Sequence, residues 1–324
     1  MKLLLMYSTH VASAAHVARL KSVRTDVRVA VARDESEAIE EARDAEVILG
    51  HRYLYQVLPV ASRLKWVQSS AGGADRLPLA DLFERGVRLS RMTIASPTIA
   101  RHAVTLAWAL ARGLPDYMAR QAEGRWSPAF DYPPTPRRAV VFGTGHIGQQ
   151  IAGLLRNDGI EVTGVRRRLD ETVSGFDRLV SLEAAIESIG SFDWVFLTLT
   201  RDPALTLMFD ERVLRTMSHR GIIINVGRGD HIDTASLCRV LNEGHLGGAG
   251  LDVMDPKPAC PDDAIWRTPR LIVTPHVAAH ARERAASIEA FCEEQVARYL
   301  AGRDPLELVD PAVYAAGFPE FVLR

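Results

Sequence analysis

Cysteine is scarce in this chain: Cys238, Cys260 and Cys292 are the three among 324 residues, odd in number and widely spaced. That argues against a disulfide framework and against a zinc cluster, so no metal is expected, and it fits a reducing cytoplasm. Long apolar runs are missing as well. The N-terminal MKLLLMYSTHVASAAHVARL holds only about six apolar residues in a row, short of a signal-peptide core and far short of the ~20 that span a bilayer. Neither sign of charge dominates, because 39 Lys+Arg against 40 Asp+Glu leave a formal net charge of -1. Without a global field, nucleic acid and anionic membranes are not expected partners. There is no internal repeat and no low-complexity tail. What is present is 47% hydrophobic and 24% charged side chains, enough for a large core and for two domains.

Short apolar runs alternate with helical patterns. KLLLMY, VRVAVA, AEVILG and LKWVQSS read as strands, with SEAIEEARDA as a helix between the second and third. From Ser96 to about Gln121, apolar residues recur at helical spacing, with Ser96 or Thr98 as a possible N-cap. WSPAFDYPPTPRR then carries four of the chain's 17 prolines and reads as a surface loop that a packed partner could fix. Beyond it the alternation restarts with RAVVFG, EVTGV, DWVFLTLT, GIIINVG, GAGLDV and LIVTPH. Such alternation predicts an α/β protein with mostly parallel sheets.

The strongest local signal is AVVFGTGHIGQQIAGLLRNDGIEVTGVRRR, in which a strand runs through Gly143, Thr144, Gly145, His146, Ile147 and Gly148 into a helix. That context makes the glycine spacing a dinucleotide fingerprint. The first glycine permits the tight turn, the second lets the backbone approach a pyrophosphate, and the third lets helix pack on strand. A NAD enzyme places an acid near the end of the next strand to hold the ribose hydroxyls. Here Arg166, Arg167 and Arg168 stand there instead, Arg166 being 18 residues beyond Gly148. Guanidinium groups accommodate a 2′-phosphate that a carboxylate would repel, so NADP(H) is the expected cofactor.

Three further segments suit a small anionic substrate. Arg228 lies in the glycine-flanked turn NVGRGD after a strand, where a guanidinium can grip a carboxylate and a keto oxygen. His276 follows LIVTP at another strand end, and imidazole titrates near neutrality, as a proton donor to an alkoxide must. His280, four residues on, would share its face on a helical turn. In SSAGGAD, successive glycines offer backbone N–H groups to an anion, with Asp75 available to cap a following helix.

The ordered series SSAGGAD (69–75), the long helix, the fingerprint, FLTLT (196–200), NVGRGDHID (225–233), GGAGLDV (247–253) and TPHVAAH (274–280) resembles the D-isomer-specific 2-hydroxyacid dehydrogenases. Within them it looks most like the NADPH-dependent glyoxylate/hydroxypyruvate reductases. The resemblance implies two doubly wound parallel-sheet domains: a flavodoxin-like substrate domain from 1–97 and 279–324, and a Rossmann nucleotide domain from 98–278. It implies a small 2-keto or 2-hydroxy acid as substrate and a cytoplasmic homodimer. It further implies Arg228 as substrate binder and polariser, His276 as acid in reduction and base in oxidation, Gly73 and Ala74 at the substrate carboxylate, and Thr200 along the cofactor. Asp252 is expected near the nicotinamide amide, with Asn225 a weaker candidate. His51, Arg52, Tyr53, Trp126 and Phe130 are candidates for the substrate side-chain pocket.

One position departs from the pattern. The family phrase LDVFExEP carries a glutamate that pairs with the histidine, whereas LDVMDPKP places Lys257 there. At 4 Å and an effective dielectric of 20, reversing that charge opposes a term of about 4 kcal/mol and would leave His276 unprotonated at neutral pH. Three arrangements avoid this: Lys257 in solvent, Asp255 or Asp262 reaching His276, or Lys257 binding an anionic group of the substrate. Two alternatives to a reductase stay open, a same-fold oxidiser of a hydroxy acid with His276 as base, and a catalytically weak NADP(H)-sensing protein.

Overall fold

The structure is a computed structural model and describes residues 1–128, 132–169, 173–258 and 260–312. It divides into two compact units, one of Met1–Ala95 with the segment from His280, the other of Ser96–Ala279.

The first unit is a five-stranded parallel sheet. Its elements run β1 (Lys2–Met6), α1 (Ala14–Ser22), β2 (Arg28–Val31), α2 (Glu35–Ala42), β3 (Val47–Gly50), α3 (Leu54–Val57), β4 (Trp66–Gln68), α4 (Leu79–Glu84) and β5 (Arg88–Ser90). The strand order is β2-β1-β3-β4-β5. Successive strand side chains point to opposite faces. In β1, Leu4 and Met6 therefore join a core with Ile48, Leu58 and Val67. Leu3 and Leu5 face the other way, against Trp66 and against Ile288, Cys292 and Val296 of the C-terminal helix.

The second unit opens with α5 (Ser96–Ala111) and α6 (Leu114–Ala122), followed by β6 (Arg138–Phe142), α7 (His146–Asn157), β7 (Glu161–Val165), β8 (Arg178–Val180), α8 (Leu182–Glu187), β9 (Trp194–Leu197), α9 (Glu211–Thr216), β10 (Ile222–Asn225), α10 (Thr234–Asn242), β11 (Gly248–Leu251) and β12 (Leu271–Val273). The remaining helix, α11 (Arg284–Leu300), belongs to the first unit. The seven strands are parallel in the order β12-β11-β10-β9-β6-β7-β8. A sheet covered on both faces needs apolar residues at nearly every strand position. Accordingly Val140, Phe142 and Ile223 pack towards α8, α9 and α10, while Val141, Ile222 and Ile224 pack towards α5 and α7. The chain starts in the middle at β6, winds out to β8, crosses back to β9 and winds out to β12. Ligands of open sheets bind at that reversal, beyond the carboxyl ends of β6 and β9.

Both units are the doubly wound parallel sheets expected, with local differences. The long helix expected to about Gln121 is broken at Gly113, whose φ of +64° ends α5 and starts α6 in a new direction. Two three-residue strands at sheet edges, β5 (RLS) and β8 (RLV), carry no apolar run and were not legible as strands. No helix among the described residues is long and apolar enough to cross a membrane.

Candidate active site

The fingerprint turn owes its shape to glycines. Gly143 has a φ of +101°, and a Cβ on it would lie 2.6 Å from Thr198 Oγ1. A Cβ on Gly148 would lie 2.0 Å from the carbonyl oxygen of Gly143, so a side chain there would lift α7 off β6. Gly145 caps α7 in an extended conformation, and no side chain caps the first-turn amides. Amides left open at a helix N-terminus suit phosphate. Thr144 is buried, and its hydroxyl has no hydrogen-bond partner among the described residues. Gln149 Nε2 donates to the Thr144 carbonyl at 3.0 Å and braces the turn. His146 is half-buried, and Ile147 packs against the core under α5 and α7. A cradle that side chains would fill, plus a buried hydroxyl facing no protein partner, fits the pyrophosphate of a dinucleotide.

The three arginines after β7 have different surroundings. Arg166 is buried and its backbone N–H donates to the Val180 carbonyl at 3.1 Å. Arg167 ion-pairs with Asp202, and Arg168 is exposed. Asp202 was not a candidate from sequence. Its only local signal is the Asp-Pro turn it caps, where its carboxylate accepts from Ala204 N at 2.9 Å.

A second group stands at the carboxyl ends of β10, β11 and β12, which are neighbours in the sheet. Asn225 is buried at the end of β10 and clamps the next turn: its Oδ1 accepts from Gly227 N at 3.0 Å, and its Nδ2 donates to the Arg228 carbonyl at 2.8 Å. A Cβ on Gly227 would meet Leu199 O at 2.7 Å, and one on Gly229 would meet Met254 C at 2.1 Å. Arg228 is thus presented by a turn wedged between the segments that leave β9 and β11. It is half-buried, and its Nη1 donates to Gly227 O at 2.8 Å.

Asp252 directly follows β11 and carries a buried carboxylate. Oδ1 accepts from Thr274 Oγ1 at 2.6 Å and from Val277 N at 2.9 Å, while Oδ2 accepts from Ala278 N at 3.0 Å. Its backbone carbonyl accepts from His276 N at 3.0 Å. Thr274 Oγ1 also lies 3.0 Å from His102 Nε2 on α5. The loop carrying His276 is therefore laced to Asp252 along its length. His276 itself is exposed with a φ of +57°, a left-handed conformation that costs a β-carbon-bearing residue of order 1–3 kcal/mol and persists where surrounding bonds impose it. No helix runs from His276 to His280, so the shared helical face expected for the two is not formed, and His280 belongs to the other unit. Thr200 is half-buried after β9, and its carbonyl lies 3.2 Å from His231 Nε2.

Lys257 is exposed and makes no hydrogen bond or ion pair among the described residues. Asp262, one of the carboxylates considered for His276, lies 3.3 Å from Arg267 Nη2.

In the first unit, Gly73 is half-buried and Ala74 buried after β4. Asp75 does not cap the next helix, because the cap of α4 is Pro78, three residues later. His51 follows β3. Its Nδ1 lies 3.1 Å from Ser69 Oγ and 3.2 Å from Ser70 Oγ, and it accepts from Ser70 N at 3.3 Å. Accepting that amide leaves the proton of a neutral ring on Nε2. Burial holds the imidazole below its ordinary value, which favours this neutral form. Ser8 after β1 joins the cluster at 3.2 Å from Ser70 Oγ. Ser69 and Ser70 open the SSAGGAD segment read from sequence, whereas Ser8 escaped it because a lone serine at a strand end carries no spacing signal. Arg52 lies over the Tyr53 ring at 5.1 Å, Trp126 is fully exposed, and Phe130 lies outside the described residues.

A doubly wound sheet with a glycine cradle at its reversal point, and an arginine and a histidine after the two strands that flank β11, defines a nicotinamide-dinucleotide oxidoreductase. Residues 104–278 match the D-isomer specific 2-hydroxyacid dehydrogenase, NAD binding domain, and the chain belongs to that family. It is 27% identical to the glyoxylate reductase of Korarchaeum cryptofilum over 82% of each chain. Among solved structures it resembles a D-isomer specific 2-hydroxyacid dehydrogenase family protein from Aeromonas salmonicida, with a TM-score of 0.79 and 27% identity over 95% of this chain and 98% of that one. It also resembles the Xanthobacter autotrophicus family member solved with NADPH and MES, with a TM-score of 0.78 and 25% identity over 96% and 98%.

Proposed function

We propose that this 2-hydroxyacid dehydrogenase family member is an NADPH-dependent reductase of a small 2-keto acid of the glyoxylate or hydroxypyruvate kind. The observation that carries the proposal is the pair of presented side chains, Arg228 and His276, at the ends of β10 and β12 with Asp252 between them at the end of β11. When bound, the reduced nicotinamide supplies a hydride to the carbonyl carbon. Arg228 holds the substrate carboxylate and draws charge onto the keto oxygen. His276 gives its proton to that oxygen as it becomes an alkoxide, yielding the D-2-hydroxy acid, and takes it back in the reverse reaction. In the first unit, the Gly73 and Ala74 amides are suited to an anion. The arginines after β7, together with the NADPH bound to the Xanthobacter protein, support NADPH over NADH.

In this reading Lys257 retunes the enzyme rather than silencing it. An exposed ammonium acts through water and is screened, so it disfavours a protonated His276 only weakly. Glutamate at the same place favours the protonated ring that reduction needs. The test follows NADPH oxidation by glyoxylate and by hydroxypyruvate from pH 5 to 9, for wild type and Lys257→Glu, with NADH as control. Both proteins should turn over, with the alkaline limb of the variant displaced upwards by about half to one pH unit. NADPH binding by both with no turnover of either acid would overturn the reductase reading in favour of nucleotide sensing.

The proposed homodimer uses α6. None of its residues is buried, and Leu114 and Met118, four apart and so on one face, are exposed, as is Trp126 beyond the helix. Light scattering after size exclusion should give twice the chain mass for wild type and the chain mass for Met118→Asp/Trp126→Asp. An unchanged mass would move the interface elsewhere.

A further inference from the structure

We infer that Asp202 is a specificity-determining residue that restrains binding of the cofactor 2′-phosphate by holding Arg167 in an ion-pair strap across the carboxyl end of β6. In the sheet β6 lies between β9 and β7. Arg167 follows β7 and Asp202 follows β9, so their ion pair passes over the strand whose end opens into the Gly143–Gly148 turn.

The two partners differ in freedom. The Asp202 side chain is only 6% exposed and is tied down by the bond from Ala204 N, whereas that of Arg167 is 37% exposed on a long flexible stem. A phosphate that takes Arg167 for itself leaves behind a carboxylate that stays nearly buried and stripped of that cation. A buried charge left without its partner is costly. The same carboxylate repels an incoming dianion. NADH has no 2′-phosphate and does not compete for Arg167, so Asp202 weakens NADPH binding selectively. This inference rests on reading the arginines after β7 as the phosphate site.

Dissociation constants for NADPH and NADH, from nicotinamide fluorescence titrations of wild type, Asp202→Asn, Arg167→Gln and the double variant, test it. Asparagine keeps the shape and the Oδ1 acceptor for Ala204 N while removing the charge. Asp202→Asn should bind NADPH about tenfold more tightly, equivalent to about 1.4 kcal/mol, and NADH within twofold of wild type. Adding Arg167→Gln should erase that gain. Asp202→Ser, which can still cap the turn, should reproduce the gain should the asparagine variant be unstable. If Arg167→Gln weakens NADPH while both Asp202 variants leave it unchanged or weaker, the strap is wrong and the arginine site stands. If Arg167→Gln leaves the NADPH to NADH ratio unchanged, the arginine reading fails, and the inference with it.

Discussion

Replacing His276 by asparagine will lower kcat for keto-acid reduction by about 10²–10⁴-fold, the range that a positioned general acid supplies. Cofactor affinity and thermal stability should stay close to wild type. The choice of asparagine follows from the backbone. His276 sits at a φ of +57°, and asparagine is among the few residues that adopt this region readily. The side chain is exposed, so truncating it opens no cavity. The loss should therefore appear in turnover and not in folding. Steady-state kinetics beside a thermal melt and a fluorescence titration separate the two. A variant retaining more than a tenth of wild-type kcat would remove His276 from the role of acid.

Asp252→Ala should destabilise the second unit by about 3–5 kcal/mol, the cost of deleting one partner from a buried charged network. Three donors converge on this carboxylate, and two of them are the backbone N–H groups of Val277 and Ala278. Activity should fall as well, because the same bonds hold the turn that presents His276. Asp252→Asn should lose less, since its remaining oxygen can still accept from Thr274 and Val277. Denaturant unfolding of the three proteins at one pH measures this. An alanine variant with the wild-type midpoint would mean that the turn is held by other contacts. Where the sequence led to an expectation of Asp252 at the nicotinamide amide, both of its oxygens are engaged by Thr274, Val277 and Ala278 inside the protein.

The strands were legible where they are buried on both faces. RAVVF, WVFL and IIIN are continuous apolar runs because helices cover each side of the sheet. Edge strands β5 and β8 are only three residues long and begin with arginine, so no apolar run marks them. The break of the long helix at Gly113 was hidden for a different reason. Its apolar spacing continues through the glycine, and only the positive φ shows that the axis changes.

By itself the sequence determined what depends on near neighbours: the glycine cradle, the arginines that stand in place of an acid at the end of β7, and the Asn225-to-Arg228 turn clamped by one side chain over three residues. Such features need only local backbone geometry, which residue types and spacing encode. The tertiary structure alone decided which distant loops meet. Arg167 reaches Asp202, Asp252 binds the turn of His276, and Gly229 abuts Met254, because the sheet sets β6 between β7 and β9 and lays β10, β11 and β12 side by side. Strand order is a property of how the whole sheet buries its two faces, and no single stretch of residues contains it.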